Sequence, residues 1–507
     1  MIDTAALREK VLDLAIRGKL VPQDPTDEPA SVLLERIHEQ KLQMVREGKL
    51  KAKDVKDDTI IFKGDDNCYY EKYSDGSVKN IQDEIPFELP DTWSWVRLGV
   101  IFSHNTGKAL KTSNTIGKKL TYITTSNLYW NSFVVESLKE MYFTESEIEK
   151  YTIRKGDLLV CEGGDIGRAA IWTFDYDMRI QNHIHKLRAY YPIETKLYYY
   201  TFYYYKLIGK INGNGIGIQG LSSNALHNLI VPLPPIQEQT KITAAVNKCF
   251  LTADIIDENE KILQTDIEEL KFKILELAIQ GKLVPQDEND EPASVLLERI
   301  RAERKANLGK KYVESYIYKG DDNCYYENMP KNWVKCRLSD IADLERGITF
   351  SASAKETIKT KKNIACIRTA NIQDELDLDD LIYVDRAYTK NNERKLLRVG
   401  DIVMSSANSK ELVGKSCIVK HFDGEMTFGG FVLVIRSIQI IPEFLLICLK
   451  YLFLKGAFYN ESTQTTNIAN ISTKTIESLE ISLPPLMEQQ RIINKITTLF
   501  NILKDGV

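Results

Sequence analysis

PPIQEQ at 234–239 opens the stretch that decides the fold, and GKLVPQD at 281–287 closes its helical part. Between these motifs, apolar residues follow the alternating four- and three-residue spacing of a coiled-coil helix. At about 1.5 Å per residue, a helix over 236–280 would span on the order of 65 Å. The stretch 236–308 is therefore predicted to be a central helical region.

We call the line of apolar residues at this spacing the coiled-coil seam, and we predict that helices at the two ends of the chain contribute to it. Its members are apolar residues at heptad spacing: Leu7, Val11, Leu14, Ile242, Val246, Ile256, Leu263, Ile267, Leu270, Ile274, Leu277, Ile492, Ile496 and Leu499.

Both ends of the central stretch recur elsewhere, in one full duplication of the chain. The matching segments are GKLVPQD at 18–24 and 281–287, EPASVLLERI at 28–37 and 291–300, KGDDNCYYE at 63–71 and 319–327, LPDTWSWVRL at 89–98 with MPKNWVKCRL at 329–338, and LPPIQEQ at 233–239 with LPPLMEQ at 483–489. The C-terminal helix matches the first half of the central helix, and the N-terminal helix matches the second half. We therefore expect the two terminal helices to rebuild a broken second copy, paired antiparallel with the central helix about a pseudo-twofold axis.

The repeat divides the chain into two similar globular domains separated by helices. Short β-rich runs bounded by glycine, each followed by a helical segment, predict an α+β fold for both domains. The predicted boundaries are 1–45 for N-terminal helices, 46–88 for a charged extended linker, 89–235 for the first domain, 236–308 for the central helical region, 309–328 for a second linker, 329–485 for the second domain and 486–507 for a C-terminal helix.

Composition is that of an ordinary soluble protein, with 43% hydrophobic and 27% charged residues. No apolar run approaches the roughly 18 residues of a membrane span, and MIDTAALREK lacks the layout of a signal peptide. Eight scattered cysteines without a CxxC pair indicate reduced thiols in a cytoplasmic protein. A net charge of −4 argues against non-specific coating of nucleic acid.

The local distribution of charge nonetheless favours a DNA-binding protein. Residues 103–133 contain four lysines and no acid, and residues 344–373 contain six basic residues and two glutamates. Both stretches are rich in Thr, Ser and Asn. Such side chains bind phosphates and base edges, and paired modules on a rigid scaffold are typical of proteins that read two half-sites. The competing interpretation is a solvated loop that is basic by chance.

Several other sequence patterns resemble functional motifs but lack residues that those motifs require. Gly414-Lys415-Ser416 lacks the first glycine of a phosphate-binding loop, and His183 with His185 lacks a third metal ligand. The tyrosines of 198–205 could stack bases, but a packed helix is favoured because the second copy has CLKYLF there. No catalytic motif is found, so no catalytic residue and no metal site are predicted.

On these motifs the chain resembles the specificity subunit of Type I restriction–modification enzymes. The resemblance rests on the two domains, which open with LPDTW or MPKNW and end in LPPIQEQ or LPPLMEQ, and on GKLVPQD…EPASVLLERI. It implies two target recognition domains that each read half of a bipartite double-stranded DNA target. It also implies helices that set the gap and dock two methyltransferase subunits, with restriction subunits in the full complex. Adenine-N6 methylation and ATP-dependent cleavage, with S-adenosylmethionine, ATP and Mg²⁺, would belong to those partners, so this chain would be non-catalytic and bind no cofactor.

The resemblance and the position of the polar loops together nominate DNA-contacting residues. In the first domain they are Lys108, Lys111, Thr112, Ser113, Asn114, Lys118, Lys119, Thr124, Thr125, Ser126, Asn127, Arg168 and Gln219. In the second they are Arg346, Thr349, Ser351, Lys355, Lys361, Lys362, Arg368, Thr369, Asn371, Ser405, Ser406, Asn408, Lys410, Lys415, Gln464 and Thr466. Two alternatives stay open: a self-contained DNA methyltransferase or nuclease, disfavoured by the lack of catalytic motifs, and a protein-binding scaffold.

Overall fold

The computed structural model describes residues 2–110, 115–211, 221–309, 317, 329–460, 463–465 and 468–505. The chain divides into two compact units, Met1–Glu260 and Lys261–Val507. Each unit combines long helices with a mixed helix-and-sheet domain, which confirms the predicted α+β class. The predicted second linker, 309–328, lies almost entirely outside the described residues.

The first unit contains seven described helices and part of an eighth. They are α1 (Thr4–Ile16), α2 (Ala30–Arg46), α3 (Ala52–Lys56), α4 (Leu98–Ile101), α5 (Glu145–Tyr151), α6 (Thr195–Leu207), α7 (Ser223–His227) and the first part of α8 (Ile236–Ile279). Its strands are β1 (Ile60–Lys63), β2 (Tyr69–Lys72), β3 (Val78–Asn80), β4 (Ser94–Arg97), β5 (Phe102–Thr106), β6 (Lys118–Ile123), β7 (Leu128–Tyr129), β8 (Ser132–Phe133), β9 (Lys139–Phe143), β10 (Thr152–Ile153), β11 (Leu158–Cys161), β12 (Ala169–Ile171), β13 (Met178–Ile180), β14 (Ile184–Ala189) and β15 (Ile230–Leu233).

The second unit repeats this order within the described residues. Its helices after α8 are α9 (Ala293–Leu308), α10 (Leu338–Ile341), α11 (Pro442–Leu454), α12 (Ala457–Asn460), α13 (Thr473–Glu477) and α14 (Leu486–Asp505). Its strands are β16 (Val334–Arg337), β17 (Ala342–Arg346), β18 (Asn363–Ile367), β19 (Ile382–Asp385), β20 (Ile402–Ser405), β21 (Ala407–Asn408), β22 (Ser416–Ile418), β23 (Met426–Phe428), β24 (Val432–Ser437), β25 (Thr463–Thr465), β26 (Ile468–Asn470) and β27 (Glu480–Leu483).

Equivalent strands of the two domains form equivalent sheets. The order β12-β11-β14-β5 matches β22-β20-β24-β17, and β9-β6-β13 matches β19-β18-β23. In the second sheet of each domain one pair is parallel, β6 with β13 and β18 with β23. A two-stranded antiparallel ribbon, β4 with β15 or β16 with β27, joins the start of each domain to its end. The duplication seen in the sequence is therefore a duplication of topology.

In the first unit, α1 runs antiparallel to the first part of α8. The Ile2 backbone N–H donates to Glu260 at 3.0 Å, and Arg8 donates to Asp257 and Asp254 at 2.8 and 2.7 Å. In the second unit, α14 shares a hydrophobic core with the last part of α8. Within each unit, a terminal helix thus packs with its own part of the 44-residue α8, as the repeat predicted.

The three repeated motifs meet in a buried junction in each unit. Trp93 donates its indole N–H to Glu238 at 2.8 Å, and Gln23 donates to the same carboxylate at 2.5 Å. Trp333, Gln286 and Glu488 repeat these bonds at 2.9 and 2.6 Å. The repeated (L/M)PxxW, GKLVPQD and LPP(I/L)xEQ sequences therefore share one function, which is to join domain and helices.

The glycine of each GKLVPQD motif ends a helix beneath this junction. Gly18 and Gly281 have φ of +69° and +68°, in the left-handed region that favours glycine. A Cβ at Gly18 would lie 2.5 Å from the ring of Pro90, and one at Gly281 would lie 2.4 Å from Pro330. Any larger residue would be strained and would push the domain opening away from the helix.

The segment 46–88 is not an extended linker. Its first residue, Arg46, ends α2, and the rest forms α3 and then the antiparallel sheet β1-β2-β3. Its charges, which suggested a linker, are partly neutralised by the first domain: Glu71 is 2% exposed and accepts from Arg97 of β4 at 3.0 and 2.6 Å. Short strands with tight turns, such as the Asp75-Gly76 turn, carry too few apolar residues to be recognised by composition.

The residues of the predicted seam are buried or partly buried in one half, and in the other half exposed residues interrupt the buried line. Among the seam residues of α8's first half and of α14, Ile242, Val246, Ile492 and Ile496 are buried, and Ile256 and Leu499 are partly buried. Val11 and Ile267 are buried, and Leu14, Ile274 and Leu277 are partly buried. Leu7, Leu263 and Leu270, by contrast, are 37%, 45% and 50% exposed, so they do not form part of a buried seam.

The interruption has a local cause, since these helices also pack against a domain helix. In α1 the buried face includes Leu12, Ala15 and Ile16, and Tyr204 of α6 donates to Asp13 at 2.6 Å. The last part of α8 likewise buries Leu275 and Ala278 and stacks Phe272 on Tyr451 of α11. The apolar face therefore turns away from a strict heptad line.

Candidate nucleic-acid interface

A short 3-10 turn follows the equivalent strands β6 and β18. Asn127 accepts from the Thr124 backbone N–H at 3.0 Å, and Asn371 accepts from that of Arg368 at 2.8 Å. Each asparagine then donates to two backbone carbonyls of the following loop, at 3.1 and 3.3 Å for Asn127 and at 3.0 Å twice for Asn371. Thr124, Asn127 and Asn371 are buried, so these three predicted DNA contacts are parts of the turn itself.

A hairpin loop from the neighbouring sheet places a cation beside each turn. Gly167 and Gly414 have φ of +79° and +89°, and each donates its N–H to the last residue of the preceding strand, β11 or β20, at 3.0 or 2.8 Å. The next residue is Arg168 in the first domain and Lys415 in the second. The register of β12 on β11 and of β22 on β20 shows that these two cations are equivalent.

The two cations hold different partners at the same place. Arg168 donates to the Thr125 carbonyl at 2.7 Å and lies over the ring of Tyr129 at 5.4 Å. Lys415 donates to the side-chain oxygen of Gln373 at 2.7 Å. Tyr129 and Gln373 follow their turns by the same number of residues, two after the asparagine, and both are exposed. The two domains therefore share a framework, the 3-10 turn with its hairpin loop, but present different side chains on it.

In the second domain this place is a small cavity of about 220 Å³. It is lined by Thr369, Ala370, Ile372, Gln373, Ser405, Asn408, Leu412 and Lys415. The structure thus brings together four predicted residues, Thr369, Ser405, Asn408 and Lys415. Ser405 and its neighbour Ser406 are each only 1% exposed, and Ser406 donates to a backbone carbonyl at 3.0 Å, so the buried serines mainly support the cavity.

Sequence reasoning missed Gln373 and Tyr129, which lie just beyond the predicted segments. The signal that could have found them is their equal spacing from the matching TSN and TAN turns at 125–127 and 369–371. The insertion of three residues in the second hairpin loop, which has ten steps from Ser405 to Lys415 against seven from Cys161 to Arg168, concealed the pairing.

Lys108 is an interior lysine, contrary to the prediction. Its side chain is 5% exposed, donates to Glu147 and to the Tyr142 carbonyl at 2.6 Å each, and lies against Phe143. The register explains this, because the equivalent position in the second domain is the buried Ile348. Lys108 is therefore withdrawn from the candidate DNA contacts.

The basic loop of the first domain is more neutral than its sequence indicated. Lys118 pairs with Glu145 and Lys119 with Glu140, both at 2.9 Å. The acids come from β9 and α5, which sequence separation hides. In the described residues, the first domain therefore has less unpaired positive charge at this loop than the sequence predicted.

The second domain keeps more of its predicted polar surface. Thr349, Ser351, Lys355, Lys361, Lys362 and Lys410 are exposed, as is Ser126 in the first domain, and Thr125, Thr369 and Asn408 are partly exposed. Arg368 pairs with Asp380 at 2.6 Å, and Arg346 donates to Thr473 and to the Ile471 carbonyl at 3.2 and 3.1 Å. Lys111, Thr112, Ser113, Asn114, Gln219, Thr466 and the side chain of Gln464 lie outside the described residues.

The alternatives set aside from sequence have structural explanations. Tyr198 and Tyr205 of α6 are fully buried, so the tyrosine run is a packed helix. His185 donates to the Leu221 carbonyl at 2.6 Å and accepts from His104 at 2.8 Å, and burial together with His185 lowers the pKa of His104 to about 4. In the part of the chain that the structure describes, no cluster of metal-ligating residues is found and no helix is long and apolar enough to cross a membrane.

One framework built twice, presenting different polar side chains at the same place, defines a two-module recognition protein. A family model described as the Type I restriction modification DNA specificity domain matches residues 90–264 and again residues 330–506. The chain belongs to this family. It is the DNA-specificity component of a Type I restriction–modification system, a DNA-recognition subunit and not a catalytic one.

Comparisons with known proteins agree over nearly the whole length. The chain is 27% identical to the Type I restriction enzyme EcoEI specificity subunit of Escherichia coli, over 98% of this chain and 89% of that protein. It is also 27% identical to the EcoAI specificity subunit of Escherichia coli, over 97% and 88%. A solved structure from work on complex assembly and conformational transition of the type I R-M system has a TM-score of 0.51 at 18% identity, over 83% of this chain and 93% of that chain, and shows the same fold.

Proposed function

We propose that each recognition domain reads one half of a bipartite double-stranded DNA target. The observation that carries this proposal is the pair of equivalent turns and hairpin loops that present different side chains, Tyr129 with Arg168 and Gln373 with Lys415. A shared framework docks both domains on DNA in the same way, and different side chains then select different bases.

The exposed and partly exposed polar residues around these turns are the remaining candidate contacts. They are Thr125, Ser126, Arg168, Thr349, Ser351, Lys355, Lys361, Lys362, Thr369, Asn408, Lys410 and Lys415. Lysines on the loops would neutralise phosphates and make affinity depend steeply on salt, whereas residues in the cavity would contact base edges.

We assign the helices two further roles, spacing and docking. The length of α8 would fix the gap between half-sites, and the helical regions would bind two methyltransferase subunits, with restriction subunits joining the full complex in the cytoplasm. S-adenosylmethionine, ATP and Mg²⁺ would bind those partners.

The direct test supplies this chain with purified methyltransferase subunit, labelled S-adenosylmethionine and plasmid DNA, and maps the methylated adenines by sequencing. We expect one motif with two defined halves and a fixed undefined gap. Methylation of the same sites without this chain, or by this chain alone, would refute the assignment.

The spacing role predicts the effect of a longer helix. Insertion of one heptad, about 10 Å, between 250 and 277 should change the gap or abolish partner docking without altering either half-site. The same mapping experiment measures this, with a heptad inserted in the exposed loop after Asp423 as a length-matched control. Altered half-site sequences would contradict the division between domains that read and helices that space.

A further inference from the structure

The side chain of Gln373 is held in one orientation at the rim of the cavity. Its oxygen accepts from Lys415 at 2.7 Å, and its nitrogen donates to the Ala370 carbonyl at 2.8 Å. The chemistry of these partners fixes which end of the amide is which, because an ammonium only donates and a carbonyl only accepts.

Each end of this amide has one bonding position left. An amide oxygen has two lone pairs and an amide nitrogen has two hydrogens, so the two bonds above use half of each. Because Gln373 is exposed, the second lone pair and the second hydrogen are open to a ligand. A partner that donates to the oxygen and accepts from the nitrogen would complete the group, and the major-groove edge of adenine, with its N6 amino group and N7, has this pattern.

Resting on the proposed function, we infer that Gln373 reads an adenine in the half-site of the second domain, and that Lys415 is its positioning residue. The equivalent Tyr129 reads the corresponding place in the other half-site, positioned by Arg168. A phenol cannot form the two-bond pair with adenine. The domains therefore select different bases at this place, which makes the target asymmetric there.

The places of Tyr129 and Gln373 in the fold also fit a role in reading bases. Tyr129 is 47% exposed and rests on the guanidinium of Arg168, whose Nη2 is held by the Thr125 carbonyl and whose side chain is mostly buried. In both domains the exposed residue lies two residues after the asparagine of the 3-10 turn, and the cation that holds it comes from the hairpin loop. An orientation fixed before binding reduces the entropy lost on binding.

The test is the methylation map of Gln373→Ala with the methyltransferase subunit, with binding to cognate and singly substituted duplexes measured in parallel. We expect one adenine of one half-site to become any base and the other half-site to stay unchanged. The loss of discrimination at that position should be about 5- to 150-fold, the range for a two-bond base contact. Gln373→Glu should transfer the preference from adenine toward cytosine, because a carboxylate only accepts and cytosine presents a donor.

Lys415→Met separates positioning from direct contact. It should weaken discrimination at the position that Gln373→Ala relaxes, without a new preference. Lys420→Ala is the matched control, since Lys420 is another exposed lysine of this domain paired at 2.6 Å, with Glu375.

Two results would overturn the inference: an unchanged motif for Gln373→Ala, or a uniform loss of binding across all sequences, which indicates a phosphate contact. Both are distinguishable from failure of the proposed function, in which the unaltered chain would itself give no bipartite motif.

Discussion

The junctions and the recognition cavities of the two units behave in opposite ways. At the junction, Trp93 and Glu238 are repeated by Trp333 and Glu488 with bond lengths that differ by 0.1 Å, 2.8 against 2.9 Å. At the turns and hairpin loops, the backbone hydrogen bonds are also repeated, but the side chains differ. Tyrosine in the first domain corresponds to glutamine in the second, and arginine corresponds to lysine. The scaffold is held constant where it joins helices to domains and varies where a ligand would meet the surface.

This contrast separates two kinds of residue in a duplicated protein. Residues that repeat in identity and in contacts are explained by folding, because both copies need the same joint. Exposed residues that occupy equivalent places with different chemistry, such as Tyr129 and Gln373, fit recognition of two different half-sites.

The largest expected effect tests the constant part of the comparison. Glu238→Ala and Glu488→Ala each leave a buried tryptophan N–H without its acceptor, which costs roughly 1–3 kcal/mol. Denaturant unfolding should show a similar loss for both variants. Glu258→Ala, at an exposed position of α8, should stay within about 0.5 kcal/mol. A loss confined to one unit would contradict the equivalence of the junctions.

A smaller effect tests where the helical regions differ. Arg8 contacts Asp254 and Asp257 of α8, so Arg8→Ala should cost up to about 1 kcal/mol. Lys271, which takes the place of Arg8 in the repeat, contacts Glu268 within its own helix, and its removal should cost only about 0.2–0.5 kcal/mol. Equal losses, measured by thermal unfolding at low salt, would show that this difference between the units has no energetic weight.

The smallest effect is the pH dependence of the junctions. Burial raises the pKa of Glu238 and of Glu488 above the ordinary value of 4.5. The folded state therefore holds these protons more tightly than the unfolded state, and the associated stability is present below pH 4.5 and is lost as pH rises through the folded pKa.

A matched variant isolates this contribution. The unfolding free energy of the unaltered protein relative to Glu238→Gln should fall as pH rises from 4.5 to 7. A difference that grows with pH would mean that the junction stabilises the charged form.

Much of the architecture could be predicted from sequence because a duplication doubles every signal. The repeated GKLVPQD and LPP(I/L)xEQ motifs located the helices and the pairing of α1 with α8. The sheet at 60–80 was missed because its strands are short and charged, with Glu71 neutralised by an arginine 26 residues away.

The candidate site was predicted only in part, for physical reasons. Composition identified the basic loop at 103–133, but whether a lysine faces solvent depends on register, which buries Lys108. Acids from α5 and β9 neutralise Lys118 and Lys119. Gln373 was missed because its role depends on a hairpin loop more than forty residues later.

An exchange of domains tests the central claim most directly. Residues 94–233 are replaced by a copy of 334–483, so that both units keep their junctions and carry the second recognition domain. With the methyltransferase subunit, methylation mapping should then give a bipartite motif in which the former second half-site appears twice and the first is absent. Retention of the original two-part motif would contradict the claim that each domain reads its own half-site.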